Sequence, residues 1–491
     1  MSAEFNTTTG ASLALQSSLN LPIAWEAGVK MAEYEADWMS MFEGNSSDAA
    51  IGTKTLAGTA GATTTFRTTT GLGADGVRGD ELVSNSPGPE EFRMSGFQVT
   101  MDYLRHAAKV NKRAGLITGL QGEIISGFNK SLGDWLGRKK TRDILMMFRH
   151  LGNGENYTIV NGKTRELLRQ TDTLAMSNIV TAGQALRTLG ARPALTTVDK
   201  QSGQKLAGYK FVGLGEAMTN LRNSTQYRDA AANAQVRGDT NTIFQGGLVK
   251  IDGNVIVEVN PPDHDMEAAI GSPLAPRAFL GTAITAGTTA IDITGGGNAT
   301  SGAKTAHKYF EDFSNYAYRW GTHSGGSIAA DTTTDRYCII YNLTGASAGK
   351  WGFYRFRLND GNKLTMHSAA SRLAAATSGV ANTTVGNVTW SGSVNTDAHP
   401  AGSLIIETNS YGIPFARTLI LGSMAACRLY SSTERIARAE ELTEGGFLST
   451  VWLRAVFGQA LFTRLDGRKP NFMVVESALS YAGLSNLPNP A

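Results

Sequence analysis

Few residues in this chain are spaced for chemistry, and each group that is has a plain structural reading beside it. Gly71-Leu72-Gly73-Ala74-Asp75-Gly76 carries the glycine spacing of a dinucleotide-binding turn. That chemistry needs a helix directly afterwards, so that phosphate meets the free N–H groups of its first turn. Val77, Arg78, Gly79 and Asp80 follow instead, and the segment reads as a loop. Asp263-His264-Asp265 is the densest set of metal-ligand types. Neighbours in an extended chain point to opposite sides, however, and a loop after Pro261-Pro262 leaves all three solvated. His106, His150, His307, His323, His367 and His399 stand singly, with no evident Ser or Cys partner for a nucleophilic triad. A phosphate loop, glycine and four residues ahead of Gly-Lys-Ser/Thr, does not occur, which speaks against an ATP-driven motor. No cofactor is expected.

Three further groups carry side chains able to hold a partner. Arg138-Lys139-Lys140-Thr141-Arg142 is the strongest basic run. It is a solvated helix face in one reading and a contact for an acidic neighbour or nucleic-acid phosphate in the other. No aromatic residue interleaves it, so base stacking is not expected. Trp25, Tyr34 and Trp38 have the rings for a ligand cage, but their helical spacing points to packing. Trp351, Tyr354 and Trp390 offer flat faces for a sugar, without catalytic acids identifiable beside them. Cys338 and Cys427 have no Cys or His at ligand spacing and read as buried thiols of a reducing cytosol.

Composition narrows the classes. A chain of 491 residues has room for about two to four domain-sized units and needs neither disulfides nor metal to build a core. Its 45 Lys plus Arg against 42 Asp plus Glu give a net charge of +3, too small for a dedicated nucleic-acid reader. Charged residues make up 18%, below the usual ~25%, as expected where much surface ends against other protein. Residues 1–15 lack the basic start and apolar run of a secretory signal, and no run of 18 apolar residues suggests a membrane span.

The elements that would position these groups follow in a definite order. Residues 1–20 read as a polar arm. In 21–42, Ile23, Ala27, Met31, Tyr34, Trp38 and Met41 recur at helical spacing until Gly44-Asn45. A ribbon spans 51–99, and its first part, 51–83, holds nine Thr and seven Gly with few large side chains. Threonine favours extended backbone and glycine buries nothing, so such a ribbon is marginal alone and calls for a surface to lie on. A helix is expected over 114–151 from Leu116, Leu120, Ile124, Phe128, Leu132, Trp135, Leu136 and Leu145, with Gly127, Gly133 and Gly137 as possible kinks. A hairpin turning at Asp252-Gly253 follows. Short strand-like runs separated by Gly, Ser, Thr and Asn fill 282–409, as in an inserted all-β module of sandwich type. An apolar helix is expected over 419–430.

This order of elements resembles the major capsid proteins of tailed bacteriophages with the Hong Kong 97 fold, an α+β class. Three stretches look like the podophage-type coat-protein family in particular. They are Val77-Arg78-Gly79-Asp80, then Lys205-Leu206-Ala207-Gly208-Tyr209-Lys210-Phe211-Val212 with Asn220-Leu221-Arg222 and Phe244-Gln245-Gly246-Gly247-Leu248, and finally Tyr411-Gly412-Ile413-Pro414-Phe415 leading to Leu421-Gly422-Ser423-Met424-Ala425. The resemblance implies an N-terminal arm and helix (1–50), an extended loop (51–100) and a peripheral domain with a spine helix (101–165). It further implies an axial domain (166–281 and 410–440), an outward-facing insert (282–409) and a return to the peripheral domain (441–491).

The implied role is structural: hexamers and pentamers closing into an icosahedral head around double-stranded DNA, a virion component assembled in the host cytoplasm. Implied partners are further copies of the chain, scaffolding protein, a portal at one vertex, a decoration protein and weak contact with packaged DNA. Leu56, Phe66, Leu72 and Leu82 are the expected anchors of the extended loop on a neighbour, with Arg67, Arg78, Asp80 and Glu81 setting register by charge. Arg138, Lys139, Lys140 and Arg142 are the expected intersubunit or DNA-facing cations. The rivals are a tail or portal component, or a β-rich carbohydrate-active enzyme.

Overall fold

The computed structural model describes residues 29–45, 49–58, 60–69, 94–111, 121–151, 157–163, 165–198, 205–229, 249–251, 254–259, 277–280, 283, 290–294, 336–343, 348, 351–358, 363–366, 372–373, 390–391, 398–409, 412–432, 436–443, 448–462 and 471–479. Its backbone is one long helix laid across two sheets, with a third sheet formed separately. The long helix is Gln121–Leu151, 31 residues and hence about 46 Å at ~1.5 Å per residue. Leu132, Leu136, Ile144 and Phe148 recur on one stripe and are all buried. The helix runs unbroken through its glycines. Two of them are occupied by a neighbour, because helix 29–36 lies so close that a Cβ on Gly133 would meet Ala32 at 2.6 Å, and one on Gly137 would strike the carbonyl of Glu33.

The first sheet is built on an extended hairpin. Strand Leu448–Leu461 pairs antiparallel with Ile436–Thr443 and Ala426–Ser431 along one side and with Asp102–Asn111 along the other. Ile51–Leu56 then adds parallel to Ala426–Ser431, so the start of the expected extended loop belongs to the body of the subunit. Leu453, Ala455 and Phe457 face Leu132 and Leu136 of the long helix together with Val29.

The second sheet is mixed, and its six strands run in the order Val249–Ile251, Asn254–Glu258, Lys210–Gly213, Phe415–Leu421, Phe472–Ala478, Tyr157–Ile159. The hairpin at 252–253 has the pairing anticipated from its sequence. Helix Met176–Thr188 and the C-terminal half of the long helix supply the core over it, where Phe148 meets Phe472 edge to face at 5.0 Å. The expected helix over 419–430 is instead two strands, Phe415–Leu421 and Ala426–Ser431. Every residue of both is buried, so no alternation marks them, and a continuous apolar run does not distinguish a central strand from a buried helix.

The third sheet replaces the expected sandwich with a ring. Arg336–Tyr341 pairs with Leu404–Thr408 on one edge and Trp351–Leu358 on the other. The path between those two runs back through Lys363–Met366, Ala290–Thr294 and Arg277–Leu280, all antiparallel, so six strands close on themselves. Closure removes the free edges a two-sheet sandwich would leave. The ring begins with Arg277–Leu280, before the boundary drawn at 282.

Candidate functional site

The most built feature of the molecule is a buried charged node where helix 29–36, the long helix and the first sheet meet. Arg428, on a central strand, is wholly buried and pairs with Asp37, its Nη2 3.3 Å from Oδ1, and with Glu43. Tyr430, two residues on and facing the same way, donates its hydroxyl to Glu43 at 2.9 Å. From the long helix, Lys140 reaches Glu33 and Thr141 donates to Asp37 at 2.8 Å. The Lys140 ammonium also lies over the rings of Tyr430 and Phe457, at 4.8 and 4.6 Å.

Burial lowers the pKa of Lys140, opposed by Glu33 and reinforced by Arg428. At Arg428 burial pulls the same way, but Asp37, Tyr430 and Glu43 outweigh it and hold the guanidinium firmly charged. Burial raises the Tyr430 phenol, which therefore acts as a donor. These groups pair with one another inside the protein, although the Arg428 Nε is buried without a hydrogen-bond partner. Their chemistry is that of a clamp, fixing the N-terminal segment to the helix and the sheet at once.

Of the expected basic surface, Lys140 is internal, whereas Arg138 and Lys139 stay partly exposed and pair along their own helix. Lys140 is buried in the node, Lys139 pairs with Asp143 at 2.5 Å, and Arg138 approaches Asp134 at 3.9 Å. Nothing is described of the Arg142 side chain. The correction has a simple cause: Lys140 sits four residues from both Leu136 and Ile144, in the buried stripe rather than opposite it.

The expected loop anchors divide. Phe66 is 1 % exposed and packs in its own chain with Val99, Met101, Cys427, Leu429 and Val456, with Leu56 half-buried beside them. Phe66 therefore anchors the base of the loop to its own body rather than to a neighbour. It stacks on Phe97 across the antiparallel pair Thr63–Thr69 and Met94–Thr100, and Lys54 caps it at 4.7 Å while donating to the Thr65 carbonyl. Arg67 is exposed. Leu72, Arg78, Asp80, Glu81 and Leu82 lie outside the described residues, as do Trp25, Gly71–Gly76 and Asp263-His264-Asp265.

Elsewhere, Tyr34 is 68 % and Met31 67 % exposed on the helix that the node clamps, whereas Trp38 packs against the main core. Trp351 and Tyr354 lie on one strand of the ring, and Trp390 lies on the short strand Trp390–Ser391, which joins that strand through Arg372–Leu373; Trp351 is half-exposed. Among the described residues no group of three His, Cys, Asp or Glu could hold a metal ion, and no helix is long and apolar enough to cross a membrane. The node itself, with Glu33, Asp37, Glu43, Arg428 and Tyr430, escaped the sequence reading. Its one visible signal is Arg428, a lone charge inside an apolar run.

No family model matches the chain, and no curated protein matches it. Among solved structures, the head structure of Helicobacter pylori bacteriophage KHP40 aligns with a TM-score of 0.50 at 9% identity, covering 90% of this chain and 91% of that one. The capsid of Ralstonia phage GP4 aligns at 0.49 with 14% identity, covering 92% of each chain. The acidic stable capsid of Helicobacter pylori bacteriophage KHP30 aligns at 0.49 with 11% identity, covering 90% and 92%. The chain thus has an α+β fold shared, nearly end to end, with a phage head protein.

Proposed function

We propose that this chain is a major capsid protein of the Hong Kong 97 type, assembling as hexamers and pentamers into the icosahedral head that encloses a phage genome. The observation that carries the reading is the correspondence with the KHP40 head chain over nine-tenths of both chains, which leaves little of either outside the shared subunit. On this reading the long helix is the spine, and the sheet built on Leu448–Leu461 belongs to the peripheral domain. The second sheet belongs to the axial domain, and the ring is the insert on the outer surface. The extended loop is then the segment beyond Phe66, residues 67–93, since Phe66 and what precedes it are fastened to the body. The role is structural rather than catalytic, with scaffolding protein, portal, decoration protein and DNA as the partners such a shell would meet in the host cytoplasm and the virion.

Electron microscopy of the expressed, full-length protein tests this. Closed shells are expected. Rings or tubes would favour a portal or tail component, and a monodisperse monomer that turns over glycans would favour a carbohydrate-active enzyme; either result overturns the capsid reading. Deleting residues 70–93 is expected to leave a folded subunit that no longer closes shells.

A further inference from the structure

The turn after strand Tyr157–Ile159 joins two residues whose adjacency is chemically unstable. Asn161-Gly162 is one of two Asn-Gly pairs in the chain, and the other, Asn153-Gly154, lies outside the described residues. In such a pair the backbone nitrogen of the glycine can attack the asparagine side chain at Cγ, because no Cβ on the glycine crowds the approach. Both residues are exposed, and both have positive φ, 60° at Asn161 and 66° at Gly162, as in a type I′ turn.

The asparagine is nonetheless held away from that reaction. Its Nδ2 donates to Asp172 Oδ1 at 2.9 Å, and the other oxygen of the same carboxylate accepts from Lys163 Nζ at 2.5 Å and from the Arg169 N–H at 2.7 Å. Asp172 is 4 % exposed, and its backbone carbonyl accepts from the Ala478 N–H at 2.9 Å. One residue therefore grips the Asn161 amide and joins this turn to the second sheet. The backbone opposes the attack as well: with Asn161 at ψ 21°, tetrahedral geometry puts its Cβ across the Cα–C bond from the Gly162 nitrogen. Ring closure thus needs the turn to rotate and the side chain to leave Asp172, forfeiting a hydrogen bond to a charged acceptor.

We propose that Asn161-Gly162 is a deamidation site that the closed turn holds in check, with Asp172 as the catch. When the turn opens, the Gly162 nitrogen bonds to Asn161 Cγ and gives up its proton, and the side-chain nitrogen leaves as ammonia. Water then opens the cyclic imide at either carbonyl, leaving aspartate or isoaspartate at position 161. Either product sets a second carboxylate where Asp172 had a donor, and isoaspartate also lengthens the backbone of the turn by a methylene. Like charge then opposes re-closing, so conversion marks the copies whose turn has opened and keeps them open.

Peptide mapping of the full-length protein held at pH 8 tests this, with isoaspartate at position 161 read by mass spectrometry. Conversion is expected to be at least tenfold slower in the native protein than in guanidinium chloride. Asp172→Ala, compared where circular dichroism shows it folded, is expected to recover most of that difference. Equal rates in native and denatured wild type, no conversion at position 161 in either, or an Asp172→Ala rate equal to that of native wild type would each overturn the proposal. A second readout leaves Asp172 in place. Asn161→Asp carries the product's charge and is expected to be cut by trypsin after Lys163, Arg165 and Arg169 at least threefold faster than wild type; equal cleavage would show that conversion does not unfasten the turn.

Discussion

Arg428 and Asp37 are 391 positions apart in the chain, yet they meet as a fully buried ion pair. Around them the acids come from the N-terminal segment and the bases from the long helix and the sheet. Three acids, Glu33, Asp37 and Glu43, face two bases, Lys140 and Arg428. The N-terminal segment is therefore held by charge as well as by the apolar contact of Val29 with Leu132 and Leu136. Such a junction has one well-defined seat, because sliding the helix by a turn would strand every carboxylate.

Removing Arg428 leaves Asp37 and Glu43 buried without their cation. Truncating one member of a buried ionic group costs about 3–5 kcal/mol, so Arg428→Ala is expected to lower the urea midpoint by that equivalent. It should also open residues 29–45 to limited proteolysis. Arg428→Lys restores the charge but not the geometry for two acids and is expected to fall between. Equal proteolysis rates in wild type and Arg428→Ala would refute the clamp.

The glycines of the long helix give a test of opposite sign. At Gly133 and Gly137 a methyl group would press on the backbone of helix 29–36, whereas at Gly127 nothing lies within 4 Å. Gly137→Ala is expected to destabilise by about 1–3 kcal/mol through overpacking. Gly127→Ala is expected to stabilise by about 0.5–1 kcal/mol, because alanine loses less backbone freedom in a helix. Thermal melts of the two variants should therefore move in opposite directions.

Much of this architecture was legible locally. The three- and four-residue spacing of Leu132, Trp135 and Leu136 marked the long helix, and Asp252-Gly253 marked its hairpin. What failed depended on partners distant in sequence. Lys140 looked like surface because its neighbours are basic, and only Glu33, 107 residues away, explains why it is buried. Phe66 looked like an anchor waiting for another subunit because its core partners Leu429 and Val456 come more than 360 positions later. Closure of the ring rests on Arg336–Tyr341 pairing on both edges, which no local pattern announces.

The two thiols should report on opening of the fold. Burial pushes Cys338 up, with Glu407 adding to the effect; it pushes Cys427 up as well, against smaller opposing influences from Lys54 and the Gly52 N–H. Thiolate is the reactive form, so labelling by a disulfide reagent at pH 8 is expected to be slow in the native protein and rapid for both cysteines in denaturant. Arg428→Ala is expected to speed labelling of Cys427, its neighbour in the strand, more than that of Cys338 in the ring. Equal acceleration at both sites would mean that the node supports the whole molecule rather than its own sheet.

Acid should find a specific weak point at Asp172. Burial works to raise its carboxyl, but hydrogen bonds from Lys163, the Arg169 N–H and Asn161 outweigh it and hold the group below its usual value. Its backbone carbonyl also accepts from Ala478 at 2.9 Å, tying this turn to the second sheet. A depressed folded pKa means the charged form stabilises the native state. That contribution is complete above the unfolded value of ~3.9 and is lost as pH falls through the lower folded value. Asp172→Asn is therefore expected to be less stable than wild type at pH 7, with the gap closing as pH falls below about 4. Urea midpoints measured from pH 7 down to pH 2.5 check this, and parallel curves for the two proteins would show that the carboxylate contributes nothing through its charge.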